Sequence, residues 1–79
     1  MHIKVTSAQI RAARGILKWT VRDLADQSGV HRNTITKIEA GEAKHGPTIA
    51  AVVHALENAG VVFTNGDEPG VKLKKKKVR

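Results

Sequence analysis

The chain has 79 residues, a formal net charge of +7 and no cysteine. This length has room for one domain, and a domain so small buries only about 60% of its unfolded surface. Without cysteine, a disulfide framework and a thiolate metal site are excluded, which fits a reducing cytoplasm. No apolar run approaches the roughly 20 residues of a membrane span, and the first residues lack the apolar core of a signal peptide, so no membrane contact is expected. The two aromatic residues, Trp19 and Phe63, are too few for a platform that stacks single-stranded bases.

The positive charge is concentrated at the C-terminal end. Residues 1–70 carry eight Lys/Arg and seven Asp/Glu, whereas residues 71–79 carry six Lys/Arg and no acid. Such a run usually contacts a polyanion. The alternatives are a strand that ends in a solvated basic tail, or a segment resembling a nuclear import signal.

Two helices are predicted in the N-terminal half. The first follows Thr6, which forms a capping box with Gln9. Its inner stripe consists of Ile10, Ala13 and Leu17, at helical spacing. The second helix follows the N-cap Thr20 and ends at Gly29, because glycine takes the left-handed conformation at little cost. Trp19 and Leu24 flank its start as a hydrophobic staple, which is a structural role.

Two more helices and two strands are predicted after Gly29. The third helix, 31–39, is polar except for Ile35 and Ile38. The fourth begins at Pro47 and ends at Gly60. Its apolar stripe comprises Ile49, Val52, Val53 and Leu56. Residues 61–64 and 71–74 have strand patterns, and a two-stranded ribbon must pack on the helices or pair with another subunit. The predicted organisation is a helical domain over 1–64, followed by a loop, a short strand and a basic tail over 65–79.

The spacing of small and apolar residues predicts a helix-turn-helix over 20–40. Counted from Val21, Ala25 is fifth and Gly29 ninth, while Ile35 and Ile38 are fifteenth and eighteenth. A small residue lets the two helices cross closely, glycine makes the turn, and the two isoleucines hold the second helix against the first.

These residues resemble the phage repressor/Cro-like, or XRE-type, helix-turn-helix family. The likeness covers about residues 6–60. The segments that carry it are Thr20-Val21-Arg22-Asp23-Leu24-Ala25, Gly29-Val30, Ile35-Thr36-Lys37-Ile38-Glu39-Ala40-Gly41 and Pro47-Thr48-Ile49. The resemblance implies a mainly α, four-helix lambda-repressor-like DNA-binding domain, with a strand-loop-strand where many relatives have a fifth helix. It also implies that the third helix enters the major groove.

The resemblance, with the chemistry of the side chains, assigns candidate site residues. Base contacts are expected from Arg32, Asn33, Thr36 and Lys37, because Arg can pair with guanine and Asn with adenine. Lys37 as a plain phosphate contact is the alternative. Phosphate contacts are expected from Thr20, Arg22, His31, Thr34, Lys44 and His45. His31 replaces the usual Ser or Thr cap, so it either caps poorly or donates to phosphate.

Two positions depart from a simple DNA-contact interpretation. Many relatives have Gln where this chain has Val21, which removes a polar contact and leaves Arg22 to compensate. The resemblance implies that Arg14 and Glu39 form a structural salt bridge in this chain. The alternative is an Arg14 that contacts phosphate.

The function expected from these features is a sequence-specific regulator of transcription that binds double-stranded DNA, acts as a repressor and forms a homodimer in the cytoplasm, at the nucleoid. One alternative is an antitoxin that binds a toxin protein and represses its own operon, and another is a protein-interaction module. An enzyme is not expected, because there is no nucleophile and base, phosphate loop or metal cluster. No cofactor is expected.

Overall fold

A computed structural model describes residues 5–42, 46–65 and 68–74. It confirms the predicted fold class of four helices followed by a two-stranded antiparallel hairpin. The elements are α1 (Ser7–Leu17), α2 (Val21–Ser28), α3 (Arg32–Glu39), α4 (Gly46–Asn58), β1 (Val61–Thr64) and β2 (Gly70–Leu73). Several boundaries differ from the prediction by one or two residues: α3 begins at Arg32 rather than residue 31, α4 spans Gly46–Asn58 rather than 47–60, and β2 spans Gly70–Leu73 rather than 71–74.

Both N-terminal helices begin with a reciprocal capping box. In α1 the Thr6 hydroxyl accepts from the Gln9 backbone at 3.1 Å, and the Gln9 side chain accepts from the Thr6 N–H at 2.9 Å. In α2, Thr20 and Asp23 exchange the same two bonds, at 3.0 and 2.9 Å. Two donors that the first turn would otherwise leave unpaired are thereby satisfied in each helix.

The core gathers the apolar stripes of all four helices and the inner face of the hairpin. Leu24, Ile35 and Leu56 are fully buried at its centre. The buried apolar residues are Ile10, Ala13, Leu24, Ile35, Ile38, Val52, Ala55, Leu56, Val61 and Phe63. Trp19 is half-buried and packs against this cluster, as its staple position predicts. Val21 packs there too, so an apolar contact replaces the polar one expected in relatives.

The hairpin packs on the helices, in line with one of the two alternatives left open by the sequence. Val61 pairs with Leu73 and Phe63 with Val71, so these four side chains share one face, and Val61 and Phe63 are buried. The loop end of the hairpin is held by Gln9, whose side-chain Nε2 donates to the carbonyls of Thr64 and Gly70, at 3.0 Å each. The hairpin joins residues on both sides of position 64.

Two absences hold for the described part of the chain. Within residues 5–42, 46–65 and 68–74, no helix combines the length and apolarity that a membrane crossing needs. Over the same ranges, no group of three or more His, Asp or Glu side chains is arranged to hold a metal ion.

Candidate nucleic-acid interface

The outer face of α3 is a continuous polar surface. Ile35 and Ile38 are buried, whereas Arg32, Asn33, Thr36 and Lys37 are exposed. Successive helical residues are rotated by about 100°, so these four exposed positions span an arc of about 140°. We call this arc the α3 outer face.

Three of its side chains are free to bind an external group. Within the described residues, Arg32, Asn33 and Lys37 make no side-chain hydrogen bond and no ion pair. Together they present two cationic donors and one amide that both donates and accepts. This is the chemistry that pairs with base edges and phosphates.

Thr36 has a narrower role than the other three. Its hydroxyl donates to the Arg32 carbonyl one turn earlier, at 3.1 Å. The hydroxyl hydrogen is therefore used within the helix, and the oxygen remains as an acceptor. A base contact by Thr36 would accept a hydrogen bond from an exocyclic amine, or use the side-chain methyl against a thymine methyl.

His31 is the N-cap of α3. Its Nδ1 accepts from the Asn33 backbone N–H at 3.1 Å, so the neutral ring carries its hydrogen on Nε2. The imidazole thus both caps the helix and keeps an outward donor. Helix capping and donation to phosphate, which the sequence left as alternatives for His31, are compatible in this geometry.

The beginning of α2 is less suited to phosphate than expected. The Thr20 N–H is engaged by the Asp23 carboxylate, and the Thr20 hydroxyl oxygen is engaged by the Asp23 N–H. Thr20 retains its hydroxyl hydrogen as a donor, but an exposed carboxylate lies beside it and opposes an anion. Arg22, exposed on the same turn, is the stronger phosphate candidate.

A shallow groove joins Arg22 to the start of α3. Its lining includes Arg22 and Asp26 of α2, and His31 and Arg32 at the start of α3. The groove therefore brings three of the predicted contact residues to a single stretch of surface. Thr34 lies apart from it and is half-buried, and Lys44 and His45 lie outside the described residues.

The C-terminal end of α3 is anchored by an ion pair. Arg14 Nε and Nη2 donate to the two carboxylate oxygens of Glu39, at 2.8 and 3.0 Å. The Glu39 side chain is 8% exposed and that of Arg14 25%. The hydrogen bonds and charge of Glu39 raise the pKa of the Arg14 guanidinium, against the opposing effect of burial. Arg14 Nη1 also donates to the Trp19 carbonyl, at 3.1 Å.

Arg11 binds the same end of α3 through the backbone. Its Nη1 donates to the Glu39 carbonyl. The three preceding carbonyls are also satisfied: Thr36 O by Ala40 N–H, Lys37 O by Glu42 N–H and Ile38 O by Gly41 N–H, at 2.8–3.0 Å. Gly41, with φ of +79°, makes this turn possible. All four terminal carbonyls of α3 are therefore paired.

The arrangement of α2, the glycine turn and α3 defines a helix-turn-helix. The sequence matches a helix-turn-helix domain family over residues 8–66, most of the chain, and the protein belongs to that family. The family is of the DNA-binding regulator type. No curated protein matches the chain.

Two contacts near this surface, of Asp23 with Thr20 and of Arg11 with the Glu39 carbonyl, were not predicted from the sequence. The pattern Thr20-x-x-Asp23 is a capping-box signal, and it would have located the carboxylate at the start of α2. The Arg11 contact has no comparable signal, because its acceptor is a backbone carbonyl that any residue would supply.

Proposed function

We propose that the protein is a sequence-specific regulator that binds double-stranded DNA with the α3 outer face in the major groove. The observation that carries the proposal is the exposed, unengaged arrangement of Arg32 and Asn33 at the beginning of α3. The N-terminal half of a recognition helix is the part that reaches base edges. Arg32 would read guanine, Asn33 adenine, and Lys37 a base or a phosphate; Thr36 would accept from a base.

Arg22 and His31 would contact phosphates on either side of the DNA major groove. Arg22 is exposed on α2, and His31 presents Nε2–H beside Arg32. Thr20 and Thr34 are weaker candidates, since one is beside a carboxylate and the other is half-buried. The lysines after β2 would add a contribution that is independent of sequence, because cationic tails bind the polyanion without reading bases.

A homodimer would provide the remaining specificity. One helix of 8 residues spans about 12 Å, enough for a few base pairs. Two copies on half-sites about one helical turn apart would read a palindrome. Repression follows most simply from such binding, because an occupied site blocks other proteins.

The test is selection of bound sequences from a random duplex pool, followed by affinity measurements on the selected duplex and on a scrambled duplex. Arg32→Ala/Asn33→Ala should abolish the preference, since each bidentate contact supplies about 1–3 kcal/mol of discrimination. The matched control is Lys72→Ala/Asn58→Ala, which removes one exposed cation and one exposed amide outside the α3 outer face. The control should keep the preference.

Other outcomes would contradict the proposal. If the wild-type protein enriches no sequence and its affinity depends on salt alone, α3 does not read bases. Equal losses in the two double variants would mean that charge, not position, determines binding. If DNA is not bound at all but a co-purifying protein is, an antitoxin or interaction module becomes the better hypothesis.

A further inference from the structure

We infer that Arg11 is a positioning residue for sequence recognition, because it fixes the C-terminal end of α3 and thereby the angle at which Arg32 and Asn33 are presented. The inference rests on the proposed function and names a residue that would determine specificity without touching DNA bases.

The apolar contacts of α3 constrain it incompletely. Ile35 and Ile38 are its two buried apolar residues, and they are three positions apart. They lie about 4.5 Å apart along the helix axis, so they hold the middle of α3 against the core but resist tilting poorly. The Arg32 backbone lies about 7 Å from their midpoint, and a tilt of about 10° would move it by about 1.2 Å. Such a shift exceeds the roughly 0.5 Å range of good N–H···O distances.

Two arginines of α1 supply the missing constraint. Arg14 and Arg11 are one helical turn apart on α1, and both bind Glu39, one through its carboxylate and the other through its carbonyl. A side-chain bond alone would leave the backbone free to move around it. The carbonyl bond adds a second point, directly on the helix backbone, so that α3 is held at its end as well as at its middle.

The two arginines differ in exposure, which makes Arg11 the informative one. Arg14 is half-buried and stabilises the fold, so its loss would disturb folding and recognition together. Arg11 is exposed, so its loss removes one hydrogen bond and little packing. Loss of Arg11 should therefore leave the protein folded while loosening α3.

The experiment compares wild type, Arg11→Ala, Arg11→Lys and Lys72→Ala on the duplex selected with wild type and on a scrambled duplex, over a range of salt concentrations. We expect Arg11→Ala to lower the ratio of the two affinities about tenfold, roughly the discrimination of one bidentate contact, with an unchanged salt slope. Arg11→Lys, which retains a donor for the carbonyl, should recover part of the ratio. Lys72→Ala, which also removes one exposed cation, should keep the wild-type ratio.

The remaining outcomes overturn the inference in distinguishable ways. If Arg11→Ala weakens binding equally on both duplexes and reduces the salt slope by about 0.9, Arg11 contacts a phosphate. If its affinity ratio equals that of wild type, Arg11 does not position α3. In both cases wild type still prefers its selected sequence and the proposed function stands. If wild type shows no preference, the proposed function itself fails.

Discussion

Replacement of Gln9 by alanine should destabilise the whole domain, although Gln9 is a polar residue on a helix. Its side chain makes three hydrogen bonds, accepting from the Thr6 N–H and donating to the Thr64 and Gly70 carbonyls. It is 4% exposed, so in the wild-type protein its amide is satisfied by these bonds and not by water. Each has a net value of about 1 kcal/mol, and hydration of the half-buried strand ends would recover part of it. We expect a loss of about 2–3 kcal/mol, or about 10–20 °C in Tm.

The assay is urea unfolding followed by far-UV circular dichroism and Trp19 fluorescence. The matched control is Gln27→Ala, at an exposed glutamine on α2, which should change the free energy of unfolding by less than about 0.5 kcal/mol. The amides of β1 should lose protection from hydrogen exchange in Gln9→Ala, because Gln9 ties both strands to α1. If the two alanine variants are equally stable, the three bonds contribute nothing and the reasoning is refuted.

Gln9→Glu tests the direction of the two bonds to the hairpin. The substitution keeps an acceptor for Thr6 but turns a second oxygen toward two carbonyl oxygens. Burial and these oxygens disfavour the charged form, so the pKa of the introduced carboxyl should be higher in the folded than in the unfolded state. The resulting destabilisation is present in full above the folded-state pKa and disappears as pH falls below the unfolded-state value of about 4.3. The stability of Gln9→Glu relative to wild type should therefore increase as pH falls from 7 to 4.

Two further predictions concern the ends of α3. Arg14→Ala should reduce the free energy of unfolding by about 3 kcal/mol and Glu39→Ala by less, because the first leaves a carboxylate buried and the second leaves a cation that can be hydrated. Because Glu39 raises the Arg14 pKa, the stability that the charged guanidinium contributes is present in full at every pH below its unfolded-state pKa. The destabilisation caused by Arg14→Ala, measured in thermal melts, should therefore be constant from pH 7 to 10. His31→Ala should lose about 0.5–2 kcal/mol of stability, and His31→Ser should regain it by restoring a cap acceptor. The proposed phosphate contact by His31 Nε2–H predicts that both variants bind DNA more weakly than wild type in filter-binding titrations; wild-type affinity in His31→Ser would mean that capping alone matters.

The local parts of this fold were predictable because their causes lie within a few residues. Gly29 ends α2 because glycine takes positive φ there, and Ile35 and Ile38 are buried because their spacing places them on one face of α3. The capping box of Thr6 and Gln9 depends on two side chains three positions apart. Each of these features is a property of a short segment, so the sequence of that segment determines it.

The contacts that join distant segments were not predictable in the same way. Gln9 was identified as a capping residue, yet its two amide donors bind carbonyls 55 and 61 residues away. Likewise, Arg11 lies on the same face of α1 as Arg14, but only Arg14 has a partner with a recognisable side chain. A backbone carbonyl is present at every position, so the residue type does not show which carbonyl accepts the bond.

The composition of α3 explains why such long-range polar contacts are needed. A helix that reads DNA must keep most of its surface polar, and the composition of α3, with two isoleucines as its buried apolar residues, fits that proposed role. So narrow an apolar stripe cannot by itself fix the direction of the helix. The two arginines of α1 bind the end of α3 that is farther from Arg32, and they leave the N-terminal half free. Under the proposed function, stability and recognition lie at opposite ends of the same helix, so changes at Arg32 and Asn33 should alter the sequence that is read without loosening α3.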